Sequence, residues 1–174
     1  MRTHKSPCKP LPKSTLINPL WLCPPGWGDG IKWRSLSDGA LKASHQRKPM
    51  MVVLHSPHCD VCHSVKKRFQ KSREIERLSN YFIMVNVEED KVPAEKSALM
   101  QFGEATPKVL FFHPDGRLMR EATGEDNDMM DERYFYSTEK AVITSMRHVL
   151  KDLDIRVSIH DLPRKRGHAK KHPL

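Results

Sequence analysis

The sequence predicts an α/β domain with a mixed central sheet and helices on both faces. Three observations carry that reading. Two nearly unbroken apolar runs, 50–54 and 81–87, are separated by an amphipathic stretch; a third, 108–112, leads straight into a turn signal; and an amphipathic segment closes the pattern near Leu153. Strands buried on both faces read as continuous apolar runs, and parallel neighbours need a helical crossover between them. A βαβ unit followed by a hairpin and a last helix therefore gives a mixed sheet.

Taken in order, residues 1–25 form a basic leader with Pro7, Pro10, Pro12, Pro19, Pro24 and Pro25, which deprive the backbone of donors and forbid helix. Structure is expected from Gly26. Leu36 to Lys48, with Leu36, Ala40 and Leu41 at helical spacing, predicts a first helix. Met50 to Leu54 follows Pro49 as a central strand and stops at Ser56-Pro57. From Cys59 a single helix is expected, with Val65 and Phe69 four apart and the pattern continuing through Ile75 and Leu78. Tyr81 to Val87 is the second strand, Glu88 to Lys96 an acidic connector, and Ser97 to Phe102 a short helix. Lys108 to Phe112 is the third strand. Pro114-Asp115-Gly116 then turns the chain, proline fixing φ and glycine supplying a positive φ, so that Arg117 to Ala122 returns as the antiparallel partner. The last helix is expected to start at Ser137 as N-cap, with Val142, Met146, Val149, Leu150 and Leu153 on one face. These elements define a domain over 26–153, between the leader and a basic tail over 154–174.

The chain has 174 residues and a net charge of +9. That excess sits at the ends. Arg2, Lys5, Lys9 and Lys13 have no acid among them, and Arg156, Arg164, Lys165, Arg166, Lys170 and Lys171 face only Asp154 and Asp161, so the middle is balanced. Basic tails are ordinarily solvated, so nucleic acid is not expected as a partner. No apolar run approaches the ~20 residues that span a bilayer, so no membrane role is expected. The stretch Leu16 to Leu22, broken by Asn18 and Pro19, does not read as a secretory signal.

The four cysteines are Cys8, Cys23, Cys59 and Cys62. Cys8 and Cys23 lie in the leader and are assigned no role. Cys59-Asp60-Val61-Cys62 places a dithiol where the first central strand ends and its helix begins. A thiol attacks a disulfide only as thiolate, and a helix N-terminus both exposes a cysteine and stabilises its anion. Cys59 is therefore the expected nucleophile. Cys62, one turn on along the same face, can attack a mixed disulfide on Cys59 and release the client, the resolving role. His58, when protonated, favours the thiolate and Asp60 disfavours it, so these two are the expected redox-tuning residues. His55 is either a proton carrier or a hydrogen-bonded structural residue. The element order is that of the thioredoxin fold, in which a cis-proline loop faces the dithiol; Thr106 and Pro107 stand where that substrate-facing loop belongs. A trans proline opening a strand is the competing reading.

Gly26-Trp27-Gly28-Asp29, Ile31-Lys32-Trp33, Lys48-Pro49-Met50-Met51-Val52, the CxxC, Phe82-Ile83-Met84-Val85-Asn86, Thr106-Pro107-Lys108-Val109-Leu110-Phe111 and Tyr134-Phe135-Tyr136 together resemble the single-domain endoplasmic-reticulum thioredoxins and the anterior gradient proteins. The likeness covers about 26–153. It implies a protein-disulfide reductase, oxidase or isomerase with glutathione as redox co-substrate, no bound cofactor, and protein clients of the secretory pathway. Anterior gradient members often carry Ser in place of the second Cys and act as client binders, so Cys62 points to the redox-active branch. The enzymatic relatives usually have Trp before the first Cys and small residues between the pair; His58, Asp60 and Val61 replace them here, so the redox poise is expected to differ. Val53, six before Cys59, is apolar where ordinary thioredoxins hold a buried acid, leaving Cys62 to pass its proton to another group or to water. The chain ends Lys171-His172-Pro173-Leu174 in place of a Lys-Asp-Glu-Leu-like signal. The endoplasmic-reticulum lumen is thus implied by resemblance alone, with the cytoplasm as alternative, and a homodimer is left open.

Other chemistries fit less well. Cys59 to His63 also matches the C-x-x-C-H haem-attachment pattern, but no second axial ligand stands out and the flanking elements suit a dithiol. A zinc site from His58, Cys59, Cys62 and His63 has the right ligand types, but adjacent ligands rarely converge on one ion; no metal is expected. Glu125, Asp126, Asp128, Asp131 and Glu132 lack EF-hand spacing and read as a solvated loop. The alternative function is a non-enzymatic client-binding module that captures mixed disulfides on Cys59.

Overall fold

The computed structural model describes residues 26–91, 99, 101–124 and 132–158. The leader with Cys8 and Cys23, positions 92–96 of the expected connector, positions 97, 98 and 100 of the expected short helix, the acidic positions 125–131 and the tail from 159 lie outside the described residues.

Four strands form one sheet: β1 (Trp33–Arg34), β2 (Met50–His55), β3 (Ile83–Glu88) and β4 (Lys108–Phe112), in the order β1-β3-β2-β4. β3 pairs parallel with β1 and β2, and β4 pairs antiparallel with β2. Among the described residues four α-helices pack around it: α1 (Leu36–Gln46), α2 (Asp60–Lys71), α3 (Arg73–Leu78) and α4 (Glu139–Asp152). Side chains alternate across β2, so one sheet feeds two cores. Met51 and Val53 join Val65 and Phe69 of α2, Ile75 of α3, and Val142 and Met146 of α4. Met50, Val52 and Leu54 join Ala43 of α1, Leu99 and Tyr134. Burial on both faces is why the strand reads as an unbroken apolar run.

The expected α/β class, mixed sheet and helices on both faces are present, with local corrections. The two-residue β1 was not anticipated, being too short for any periodicity. The single helix expected from Cys59 to Leu78 is two, because Ser72 takes extended backbone (φ −80°, ψ 100°) and its hydroxyl accepts the Ile75 N–H, capping α3. α1 buries a different face from the expected one. Gly39 and Ala43 are its buried residues, whereas Ala40 is exposed and Leu41 is 66% exposed. The reason is close approach: a Cβ on Gly39 would run into Cγ2 of Val85, with Met50 Sδ at 3.3 Å. The return segment after the 114–116 turn makes only a bridge, Phe112 with Leu118, and its Met119 N–H donates to Phe111 O. The last helix is capped one residue later than expected, by Thr138, whose hydroxyl accepts the Ala141 N–H. Beyond it the chain keeps packing: Ile155 and Val157 lie against the first core and the Ser158 N–H donates to the Tyr81 hydroxyl.

A candidate dithiol active site

β2 ends with β3 at the C-terminal end of their parallel pair, and Ser56 to His58 turn the chain into α2, with Cys59 as N-cap (φ −101°, ψ 113°). Its sulfur takes the position that a serine or aspartate oxygen usually fills, accepting the Cys62 N–H at 3.0 Å. Cys59 is half-buried; Cys62 is 2% exposed. The two are joined in a disulfide, with Cα atoms 5.1 Å apart, inside the range that such a bond requires.

The 101–107 segment closes the site from the opposite side. The Thr106–Pro107 peptide bond is cis, and the Thr106 carbonyl oxygen lies 3.3 Å from Cys59 Sγ. Pro107 is buried and Thr106 half-buried. Of the two residues expected to tune the pair, both are exposed: Asp60 is the first residue of α2, and His58 turns its Nε2 toward Asp90 Oδ2 at 3.8 Å. His63 Nε2 donates to the Pro57 carbonyl at 2.9 Å. The set His58, Cys59, Cys62 and His63 is not gathered as a metal centre among the described residues. Val61, between the cysteines, leaves 38% of its surface in solvent.

His55 is 3% exposed and its Nε2 donates to Asn86 Oδ1 at 2.7 Å. Burial pushes its pKa from 6.5 down to about 4, against the opposing pull of Asn86 and Glu88. With the Trp27 ring 5.0 Å away, it sits in the structural, hydrogen-bonded environment of the two readings open to it. Val53 is fully buried in the first core.

Two residues around the site were missed by the sequence reading. Lys108 opens β4 with no exposed surface, its Nζ donating to the Gly103 carbonyl; burial lowers its pKa, opposed by Glu132, Glu89 and Glu104. Glu132, read from sequence as part of a solvated acidic loop, is half-buried and accepts the Ala105 N–H through both carboxylate oxygens, at 3.2 and 3.1 Å. The signal for Lys108 was a lone charge at the head of an otherwise apolar strand.

Comparison with known proteins agrees with this geometry. A family model described as thioredoxin-like matches residues 32–114. Anterior gradient protein 3 of Xenopus tropicalis is 30% identical over 116 residues, which cover 66% of this chain and 67% of that protein. The chain belongs to the thioredoxin-like anterior gradient family. Mouse anterior gradient protein 3 is 33% identical over 101 residues, covering 57% of this chain and 59% of the relative. The chain thus spans somewhat under two thirds of that curated relative's length. Among solved structures, a thioredoxin from Thermus thermophilus (TM-score 0.53, 21% identity, 69% of this chain and 87% of that one) and a DsbH oxidoreductase (TM-score 0.53, 14% identity, 83% and 96%) share the fold. Within the anterior gradient family frame, the dithiol, the cis-proline loop and the α2 N-terminus of this chain form one contiguous site.

Proposed function

We propose that this protein is a thiol-disulfide oxidoreductase acting on protein clients through Cys59 and Cys62, with glutathione as redox co-substrate. One observation carries the reading: a half-buried sulfur at the N-cap of α2, with an N–H aimed at it, bonded to a second sulfur buried behind it. Only the first is open to a client, and only the second is placed to displace it.

In the reducing direction, the Cys59 thiolate attacks one sulfur of a client disulfide. A Cys59–client bond forms, and the client's other sulfur leaves as thiolate and takes a proton from water. Cys62 then gives its proton to water and attacks Cys59 Sγ; the client's second sulfur leaves, and two electrons have passed from the dithiol to the client. Two glutathione thiols restore the dithiol and become glutathione disulfide. With apolar Val53 beneath the site there is no carboxylate at that position to take the Cys62 proton, which is why water is assigned the task. The exposed side chain of Val61 offers a client apolar surface beside the reacting sulfur. Asp60 follows Cys59 as the first residue of α2 and His58 is drawn toward Asp90, so of these two neighbours the acid prevails, which disfavours the thiolate and makes the protein a weaker oxidant than relatives without the acid. The endoplasmic-reticulum lumen is the compartment this family resemblance supports; among the described residues no helix is long and apolar enough to cross a membrane.

The test is reduction of a protein disulfide such as insulin by the full chain with a glutathione and glutathione reductase couple. Catalysis by wild type, and its loss in Cys59→Ser, is the expected result. Wild-type protein that binds clients but turns none over would favour the client-binding module instead.

A further inference from the structure

The loop that faces the dithiol is braced from behind. Residues 132–136 run antiparallel to 107–109: the Tyr136 N–H donates to Pro107 O at 3.1 Å, the Val109 N–H to Tyr134 O at 3.0 Å, and Lys108 bridges Phe135. Two charged side chains extend this brace to the loop itself. Lys108 Nζ holds the Gly103 carbonyl, and the Glu132 carboxylate holds the Ala105 N–H. The carbonyl of Thr106, the residue after Ala105, is the one 3.3 Å from Cys59 Sγ. Burying a lysine and half-burying a glutamate costs desolvation that an apolar pair would avoid, so filling space does not explain them. What they hold does.

We propose that Lys108 and Glu132 are positioning residues that fix the Thr106 carbonyl against the Cys59 sulfur and thereby set how readily that thiol ionises. This rests on Cys59 being the nucleophile. In the reduced protein the Cys59 S–H donates to the Thr106 carbonyl, and a hydrogen bond to the neutral form, with the negative end of the C=O dipole at the sulfur, favours thiol over thiolate. Freeing the loop removes both effects and favours the thiolate. The other charged groups around the sulfur, His58 and Asp60 beside it and Asp90 facing His58, are unchanged by the substitutions below.

The experiment is the pH dependence of iodoacetamide labelling of the reduced full chain, read on the Cys59 peptide, for wild type, Glu132→Ala, Glu132→Gln and Lys108→Met, with thermal unfolding as the check on folding. Glu132→Ala and Lys108→Met are expected to move the labelling midpoint to lower pH and to raise the rate below it about threefold, which is half a pKa unit. Glu132→Gln is expected to keep the wild-type profile, because its amide oxygen still accepts the Ala105 N–H. Loss of the lysine charge alone would move the Lys108→Met midpoint upward, so the direction separates loop release from a through-space effect. An unshifted Glu132→Ala profile, or a Glu132→Gln profile shifted as far as that of Glu132→Ala, would overturn the proposal. Should Glu132→Ala not fold, an unshifted or upward-shifted Lys108→Met does the same. Labelling of Cys62 ahead of Cys59 in wild type would sink the nucleophile assignment and this proposal with it, a result distinct from any of the variants' profiles.

Discussion

The backbone N–H of Cys62 points at the sulfur of Cys59 from 3.0 Å, while Cys62's own side chain is 2% exposed. The first residue is thus supported as an anion from inside the helix turn, and the second is shielded from solvent while within bonding reach of that same sulfur. Cys62→Ser should therefore accumulate a mixed disulfide between Cys59 and a client, because the resolving attack is gone, whereas Cys59→Ser should accumulate none. Non-reducing electrophoresis after incubation with a disulfide-bonded protein reads this directly; a Cys59→Ser variant that traps clients as well as Cys62→Ser would reverse the roles.

Stability should depend on His55 between pH 6.5 and about 4, where burial separates its folded from its unfolded pKa. Over that window the unfolded chain binds the proton and the folded chain does not, so stability is fully present above about pH 6.5 and falls as pH drops toward 4. The gap corresponds to roughly 3 kcal/mol at its limit. Unfolding midpoints measured from pH 7 to 4 should lose much of this slope in His55→Gln; identical slopes would mean that other groups govern the acid limb.

Gly39 is where α1 touches β3, and a methyl group there has Val85, Met50 and Ile83 to meet. Alanine gains about 1 kcal/mol of helix propensity over glycine. Overpacking against a buried, β-branched side chain costs about 1–3 kcal/mol. The clash should win or cancel the gain, so Gly39→Ala is expected to leave the urea midpoint lower or unmoved. A clearly raised midpoint would show that the helix can shift off the sheet.

The end of the packed unit lies past α4. Removing residues before Gly26 and after Ser158 should leave cooperative unfolding intact, but a chain stopped at Asp154 loses Ile155, Val157 and the Ser158 to Tyr81 bond, and should be less stable by about 1–2 kcal/mol. Equal denaturation midpoints for the two truncations would show that 155–158 merely lie on the surface.

The sheet-forming runs, the crossover between β2 and β3, the place of the dithiol and the proline opposite it are all legible in the order of residues. These are legible because each depends on local rules: strands buried on both faces must be apolar throughout, and a CxxC between a strand and an amphipathic segment must sit at a helix N-terminus. Other features depend on contacts, most of them between elements distant in the chain. Which face of α1 is buried was settled by the close approach at Gly39, a property of two elements and not of one period. The split at Ser72 turned on a side chain capping its own backbone, a competition that the apolar pattern running through it conceals. Lys108 and Glu132 carry charges that sequence assigns to solvent, and lie 24 positions apart; only the antiparallel pairing of 132–136 with 107–109 brings both to one loop, where buried backbone groups in need of partners give those charges a use.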